Sequence, residues 1–238
     1  MKTLVVIPTY NEAGTIRALV EAIHALAVPT LSMLVVDDNS PDRTADIAEE
    51  LSRRYPVRVM RRAEKQGVGR AYVAAFGQIL ADSHSLPDYI IQMDADMSHD
   101  PRAIPAMLGA IRTSDIVIGS RYTPGGKIEN WNAIRRGISR VGNAYARAML
   151  RVPYRDLTSG YRCFRREALA RLDLESISSS GYCFMIEIAA RAHMLGLRIH
   201  EIPIVFTERT IGASKFNLRI IMESIWRVAI LAIRSGQK

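Results

Sequence analysis

Cysteine is scarce: Cys163 and Cys183 stand alone in 238 residues, and neither sits in a CxxC spacing. A disulfide framework is excluded, and a reducing compartment is the expectation. No run approaches ~18 uncharged apolar residues, so no segment reads as a conventional spanning helix. Met1-Lys2-Thr3 passes straight into a short apolar run, without the longer apolar core of a secretory leader. Two nucleotide signatures are missing. There is no GxxxxGK(S/T), and the first apolar run is not followed by GxGxxG, which argues against a P-loop kinase or a dinucleotide-dependent oxidoreductase. Acidic residues are outnumbered, 24 against 32 basic ones, leaving a formal net charge of +8. That excess favours an anionic partner: nucleic acid, a phosphate-bearing small molecule or an anionic membrane surface.

What is present is a regular alternation of elements. Leu4-Val5-Val6-Ile7, Met33-Leu34-Val35-Val36, Val57-Arg58-Val59-Met60, Tyr89-Ile90-Ile91 and Ile116-Val117-Ile118 read as strands. Between them, helical spacing runs from Ile16 to Leu26, Thr44 to Leu51 and Arg70 to Leu80, and Pro101 opens a further helix towards Ile111. Strands alternating with helices predict an α/β fold, a mainly parallel sheet with helices on both faces. One domain is expected over residues 1–210, followed by a tail over 211–238.

In such sheets ligands bind beyond the carboxyl ends of the strands. Four exits carry dense polar chemistry: Pro8-Thr9-Tyr10-Asn11-Glu12, Asp37-Asp38-Asn39-Ser40-Pro41-Asp42, Asp94-Ala95-Asp96 and Gly119-Ser120-Arg121-Tyr122. Singly, each has a plain structural explanation, since Asn11 or Asp42 could cap a helix and Asp-Asn-Ser is ordinary turn material. Together they point to one site. Asp94 and Asp96 follow a strand and must turn at once, so both carboxylates can reach a common point. Hard divalent ions such as Mg²⁺ or Mn²⁺ take one or two carboxylates plus substrate phosphates. The alternative is a solvated acidic loop with His99 as partial compensation.

The segments VVIPTYNE, VVDDNSPDRT, MDADMSHDP, GSRYTPGG, IRRGISR and DLTSGYRCFRREAL occur in this order. They resemble the family-2, GT-A-fold (Rossmann-like) glycosyltransferases, specifically the polyprenol-phosphate (dolichol-phosphate) mannose synthases. The resemblance runs from Leu4 to about Lys215. It implies a nucleoside-diphosphate sugar donor, GDP-mannose, and a polyprenyl monophosphate acceptor. It implies that Pro8, Tyr10, Glu12, Val36 and Asp38 line the nucleotide site. Asp94 and Asp96 would hold the metal and diphosphate, with the Ala95 backbone close by. Arg121, Arg135 and Ser139 match the positions that meet the acceptor phosphate, and with Asp96 they form the expected catalytic set. Arg209 and Lys215 match basic residues that close over the diphosphate. Many relatives carry a further multi-span membrane domain. This sequence looks like the compact form, peripheral on the cytoplasmic face of a membrane or served by a separate membrane-anchoring subunit.

A phosphate monoester is mostly dianionic at neutral pH, so such an acceptor needs orientation rather than a base. This suits a chain whose only histidine near the strand exits is His99. Inverting displacement at the anomeric carbon follows. Asp156 and Glu187 could border the sugar or could pair with arginines inside the fold. The last stretch, KFNLRIIMESIWRVAILAIRSGQK, is a basic, Trp-bearing amphipathic helix suited to an interface, with packing against its own domain as the alternative. Two rivals remain: a hexosyltransferase using a UDP-sugar with the same lipid class, and a basic nucleic-acid-binding protein. The second is disfavoured by an aromatic content of 7% and by the acidic strand exits.

Overall fold

The computed structural model describes residues 1–82, 86–177, 179, 181–208 and 225–233. A seven-stranded sheet forms the centre. It contains β1 (Thr3–Thr9), β2 (Leu31–Asp37), β3 (Val57–Arg61), β4 (Tyr89–Gln92), β5 (Ile116–Ser120), β7 (Arg162–Arg165) and β8 (Ile199–Pro203), in the order β3-β2-β1-β4-β7-β5-β8. All neighbours pair parallel except β7, which runs antiparallel between β4 and β5. A strand antiparallel to both neighbours keeps those neighbours parallel to each other. The carboxyl ends of β1, β2, β4 and β5 therefore share one edge.

The sheet is covered on both faces, and β1 shows how. Leu4 and Val6 pack with α3 (Val68–Ala81) and α7 (Gly181–Met194), against Tyr72, Phe76 and Phe184. Val5 and Ile7, pointing the other way, meet α1 (Ile16–His24) and α4 (Ile104–Ala110). The two-residue period of a strand thus supplies two cores at once. α1 answers with Ile16, Leu19, Val20 and Ile23, buried at helical spacing. α2 (Thr44–Leu51) covers the β2–β3 side through Ala48 and Leu51. Asp100 caps the 3₁₀ turn at Pro101–Ala103 by accepting the Arg102 N–H at 2.9 Å, and that turn leads into α4.

The second half contains the elements that the strand pattern did not announce. β6 (Lys127–Glu129) pairs parallel with β9 (Val205–Thr207) in a small separate sheet. α5 (Ala133–Leu150) follows β6, and α6 (Arg166–Ala170) follows β7. Residues 225–233 form a helix, α8. Its Val228 is buried in a third apolar cluster with Ala146 and Leu150 of α5 and Ala189 and Ala190 of α7. The expected tail helix thus packs in part against its own fold. Of the charged residues spaced by four along that stretch, Arg219, Glu223 and Arg227, only Arg227 lies within the described residues. Among the described residues no helix is long and apolar enough to cross a membrane.

Candidate active site

A cleft of about 470 Å³ opens at the shared strand edge. Its lining includes Pro8, Tyr10 and Glu12 from the β1 exit, Asp38 from the β2 exit, and Asp94, Ala95 and Asp96 from the β4 exit. Arg121 from the β5 exit and Arg135 from α5 also line it. Of the expected site residues, two described ones stand apart. Val36 is fully buried among the apolar residues over α3, and its side chain does not reach the cleft. An even-numbered β2 position next to Asp37 points into the core, which is where the strand period puts it. Ser139 accepts a hydrogen bond from the Tyr122 hydroxyl at 2.6 Å and is not among the lining residues. Arg209 and Lys215 lie outside the described residues.

The acidic side is ordered by short-range bonds. Of the carboxylates between Asp88 and Asp100, Asp88 accepts the Lys2 N–H at 2.8 Å and Asp100 pairs with Arg102, so both are engaged in local structure. Asp94 and Asp96 are the two that reach the cleft. Met97, at φ 62°, turns the chain immediately after them. Asp96 Oδ1 accepts the Ser98 N–H at 3.1 Å and the Ser98 hydroxyl at 2.5 Å, which fixes the carboxylate's rotamer. The Asp94 side chain is 39% exposed. Gly160 faces it so closely that a Cβ there would lie 3.6 Å from both Asp94 oxygens. The missing side chain leaves one flank of Asp94 open. Two carboxylates in an open cleft fit a hard cation that completes its shell with phosphate oxygens and water. Among the described residues no cluster of three His, Cys, Asp or Glu offers an all-protein cage.

His99 does not balance these charges. Its Nδ1 accepts the Asp94 N–H at 3.1 Å, and its ring stacks on Tyr161 at 4.9 Å and meets Phe206 edge-on. Burial pushes its pKa down, outweighing the opposite pull of Asp94 and Asp96, so the imidazole is neutral. Arg121, Arg135 and Lys65 bring positive charge to the cleft.

Arg121 is held rigidly. It is 7% exposed, and Asp156, fully buried, receives its Nε and Nη2 at 2.7 Å each, while Thr158 Oγ1 receives Nη2 at 2.7 Å. Asp156 is thus an internal ion-pair carboxylate, as Glu187 is to Arg191. Burial alone would raise the Asp156 pKa, but the Arg121 charge and hydrogen bonds hold it below the usual carboxylate value. Trp131 and Phe206 complete the surroundings, with the guanidinium carbon 5.5 and 5.4 Å from their ring centres. Arg135 lies over Trp131 at 4.2 Å and pairs with Glu208. Gly126 allows this exit to fold back: a Cβ there would sit 2.6 Å from the Ser120 carbonyl oxygen.

Several lining residues carried no site assignment in the sequence reading. Lys65 places its ammonium 3.7 Å from the Tyr10 ring centre. The Gly67 turn brings the Gln66 and Gly67 N–H groups to Asp38 Oδ2 at 3.2 and 3.3 Å, and Arg62 pairs with Asp38 Oδ1. Thr158, Ser159 and Gly160 are held from beneath by Arg162, fully buried, which donates to the carbonyls of Leu157 and Ser159 at 2.8 and 2.9 Å. Trp131, Phe206 and Glu208 arrive through the small β6–β9 sheet, and neither short strand has a periodic signature.

This arrangement, a Rossmann-like sheet with an Asp-Ala-Asp turn at its central exit, is that of a GT-A-type glycosyltransferase. The same fold occurs in glucosyl-3-phosphoglycerate synthase from Mycobacterium tuberculosis, solved in complex with Mn²⁺, UDP and glucosyl-3-phosphoglycerate. That match has a TM-score of 0.69 at 19% identity, over 98% of this chain and 79% of that one. The chain belongs to glycosyl transferase family 2, whose sequence model matches residues 4–173. It is 43% identical over 236 residues to a polyprenol monophosphomannose synthase of Mycolicibacterium smegmatis, covering 98% of this chain and 88% of that protein. It is also 43% identical over 229 residues to an undecaprenyl-phosphate mannosyltransferase of Micrococcus luteus, covering 96% and 93%. A dolichol-phosphate mannosyltransferase of Pyrococcus furiosus is 37% identical over all of this chain and 65% of its own length.

Proposed function

We propose that this glycosyltransferase moves mannose from GDP-mannose to a polyprenyl monophosphate, giving polyprenyl-phosphate mannose and GDP with inversion at the anomeric carbon. One observation supports this above others: two cleft carboxylates, Asp94 and Asp96, share a cavity with two arginines, Arg121 and Arg135. A sugar-nucleotide diphosphate and a second phosphate both need seats, and a hydroxyl acceptor would not need the second. The names of the two bacterial relatives point to the same acceptor class.

Pro8, Tyr10, Glu12 and Asp38 border the nucleoside. Asp94 and Asp96 would hold a divalent cation, Mg²⁺ or Mn²⁺, which would supply positive charge to offset that of the diphosphate leaving group. Arg121, already fixed by Asp156 and Thr158, presents a preorganised positive group that needs no reorganisation during the reaction. Arg135 orients the acceptor phosphate once that anion displaces Glu208 from it. Ser139, bonded to Tyr122, would support that seat from the neighbouring turn of α5. The acceptor oxygen arrives ionised, so no side chain must remove a proton. His99 is consistent with this, because its Nδ1 is occupied by the Asp94 N–H. The site would work at the cytoplasmic face of a membrane, where both a water-borne nucleotide and a lipid can reach it.

Thermal unfolding with GDP or UDP, each with and without Mn²⁺, tests the donor. A ligand near a hundredfold above its Kd stabilises a chain of this size by about 5–10 °C. GDP with Mn²⁺ is expected to do so and UDP to fall well short. A larger shift with UDP would replace the mannosyl reading by a UDP-hexose one. Equal shifts with and without metal would end the role given to Asp94 and Asp96.

A further inference from the structure

We propose that Glu208 is a carboxylate gate acting through Arg135: it holds the guanidinium while the cleft is empty, gives way to the incoming phosphate and retakes its place from the product. The basic wall of the cleft contains two arginine–carboxylate pairs, and they are built differently. Arg121 and Asp156 are sealed, with side chains 6% and 0% exposed, and Asp156 receives two nitrogens of the guanidinium. Arg135 and Glu208 are 18% and 29% exposed, and Arg135 Nη1 donates to Glu208 Oε1 on the lining of the cleft. Opening the sealed pair would strand a buried charge, so it belongs to the fold. The pair on the lining is open to exchange. Water can solvate the released carboxylate, and another anion can take its place on the guanidinium.

The main chain on both sides of this pair is anchored. Glu208 follows β9 directly, and its N–H donates to the Glu129 carbonyl at 3.3 Å. One residue earlier, the Thr207 N–H donates to the Ser98 carbonyl at 3.2 Å, and Phe206 meets His99 and Trp131 edge-on. On α5, Asn132 accepts the Arg135 N–H at 2.8 Å, and the guanidinium lies over Trp131 at 4.2 Å. The ring fixes the guanidinium, whereas the carboxylate needs only its own side-chain torsions to leave. The acid is the moving part.

Charge gives the gate its direction, and here the inference rests on the proposed acceptor. A phosphate monoester is mostly dianionic at neutral pH. Once it carries the sugar it is a diester with a single charge. Both species must displace Glu208, so the gate lowers both affinities by the same factor, set by the fraction of time it stands open. The acceptor, with two charges, still binds. The product has lost much of its attraction to Arg135 and is the one that Glu208 dislodges. Without the gate, Arg135 would admit the acceptor more readily and would also retain the product longer. The pairing joins residues 73 positions apart, which is why no local pattern marked Glu208.

The test is calorimetric titration of the full chain, parent against Glu208→Gln and Glu208→Asp, with farnesyl phosphate and separately with inorganic phosphate. A partly exposed ion pair is worth up to about fivefold in occupancy, so Glu208→Gln should bind both ligands about fivefold more tightly. Glu208→Asp keeps the charge but is one methylene short of Arg135, and it should tighten binding to a similar extent. Circular dichroism spectra matching the parent's show that both variants are folded. In steady-state transfer Glu208→Gln should lower the acceptor KM about fivefold without raising kcat, and inhibition by product should strengthen by the same factor. Unchanged or weaker phosphate binding in Glu208→Gln would overturn the gate. So would parent-like binding in Glu208→Asp, because the effect would then come from charge in the cleft and not from the pair. If both variants tighten inorganic phosphate while farnesyl phosphate binds no better than inorganic phosphate in any chain, the gate stands and the lipid acceptor falls.

Discussion

The two walls of the cleft are built by opposite rules. On the acidic wall the Asp-Ala-Asp exit is held by chain neighbours: Asp96 receives the Ser98 N–H and hydroxyl, and Asp94 gives its own N–H to His99. On the basic wall the partners come from far away in the chain. Arg121 reaches Asp156, 35 residues on, and Arg135 reaches Glu208, 73 residues on. A carboxylate held by its own turn can be removed without unpicking the fold. An arginine that joins remote segments cannot, because the same bonds shape the site and close the tertiary structure.

The sharpest break in this comparison is Asp94→Ala or Asp96→Ala. Transfer to a polyprenyl phosphate should fall by at least about 10³-fold, since charge neutralisation of the leaving group is lost. The folded state should hardly notice, with unfolding free energy within about 0.5 kcal/mol of the parent. Rates measured with excess metal, beside urea denaturation of the same samples, check both halves. Substantial activity in either variant, or in excess EDTA, would remove the cation from the proposed mechanism.

Asp156→Asn reverses the pattern. It leaves Arg121 buried without its counter-charge, and breaking a buried pair in this way costs about 3–5 kcal/mol. Its pH dependence has a definite sign. The Asp156 pKa is lowered by folding: burial is the largest single effect and raises it, but the Arg121 charge and the hydrogen bonds from Arg121 and Thr158 together outweigh burial. The pair's contribution is therefore complete above the unfolded carboxylate pKa near ~3.9 and is lost as pH falls through the lower folded value. The variant should be destabilised at pH 7, and its stability should fall less than the parent's between about pH 4 and pH 2. Parallel acid limbs in the two chains would show that Asp156 does not supply this term.

This difference between the walls also decides what could be read in the sequence. A strand followed directly by Asp-Ala-Asp, or by Asp-Asp-Asn-Ser, carries its own geometry: buried β-branched residues, then polar side chains at the turn. β1 to β5 and the acidic exits were legible for that reason. β6 and β9 have three residues each, too short for a period, so the route by which Phe206 and Glu208 reach Arg121 and Arg135 had no local mark. β7 was hidden similarly. It is four residues long and contains Arg162, a buried charge that reads as exposed until its carbonyl partners are known. A motif places Val36 near the site, but only the structure shows that its side chain is buried beside the cleft rather than in its lining. α5 looked like an arginine-rich motif, and only its packing revealed that Ile134 and Val141 face outward.

A gentler change within the acidic wall sharpens the comparison further. Ser98 donates twice to Asp96 Oδ1, by its N–H at 3.1 Å and by its hydroxyl at 2.5 Å. Ser98→Ala removes only the hydroxyl; the backbone bond still holds the carboxylate in place. Loss of a group that orients a metal-binding carboxylate lowers metal affinity by about 10–100-fold, and the surviving N–H puts this case near the lower end. The variant should need about tenfold more Mn²⁺ for half-maximal transfer, yet at saturating Mn²⁺ its rate should lie within about twofold of the parent. A rate that stays low at every Mn²⁺ concentration, as for Asp96→Ala, would make Ser98 a direct participant rather than a support. An unchanged Mn²⁺ requirement would mean that the turn backbone alone orients Asp96, and the local wall would then be simpler still: a strand end, a left-handed residue at Met97 and one N–H.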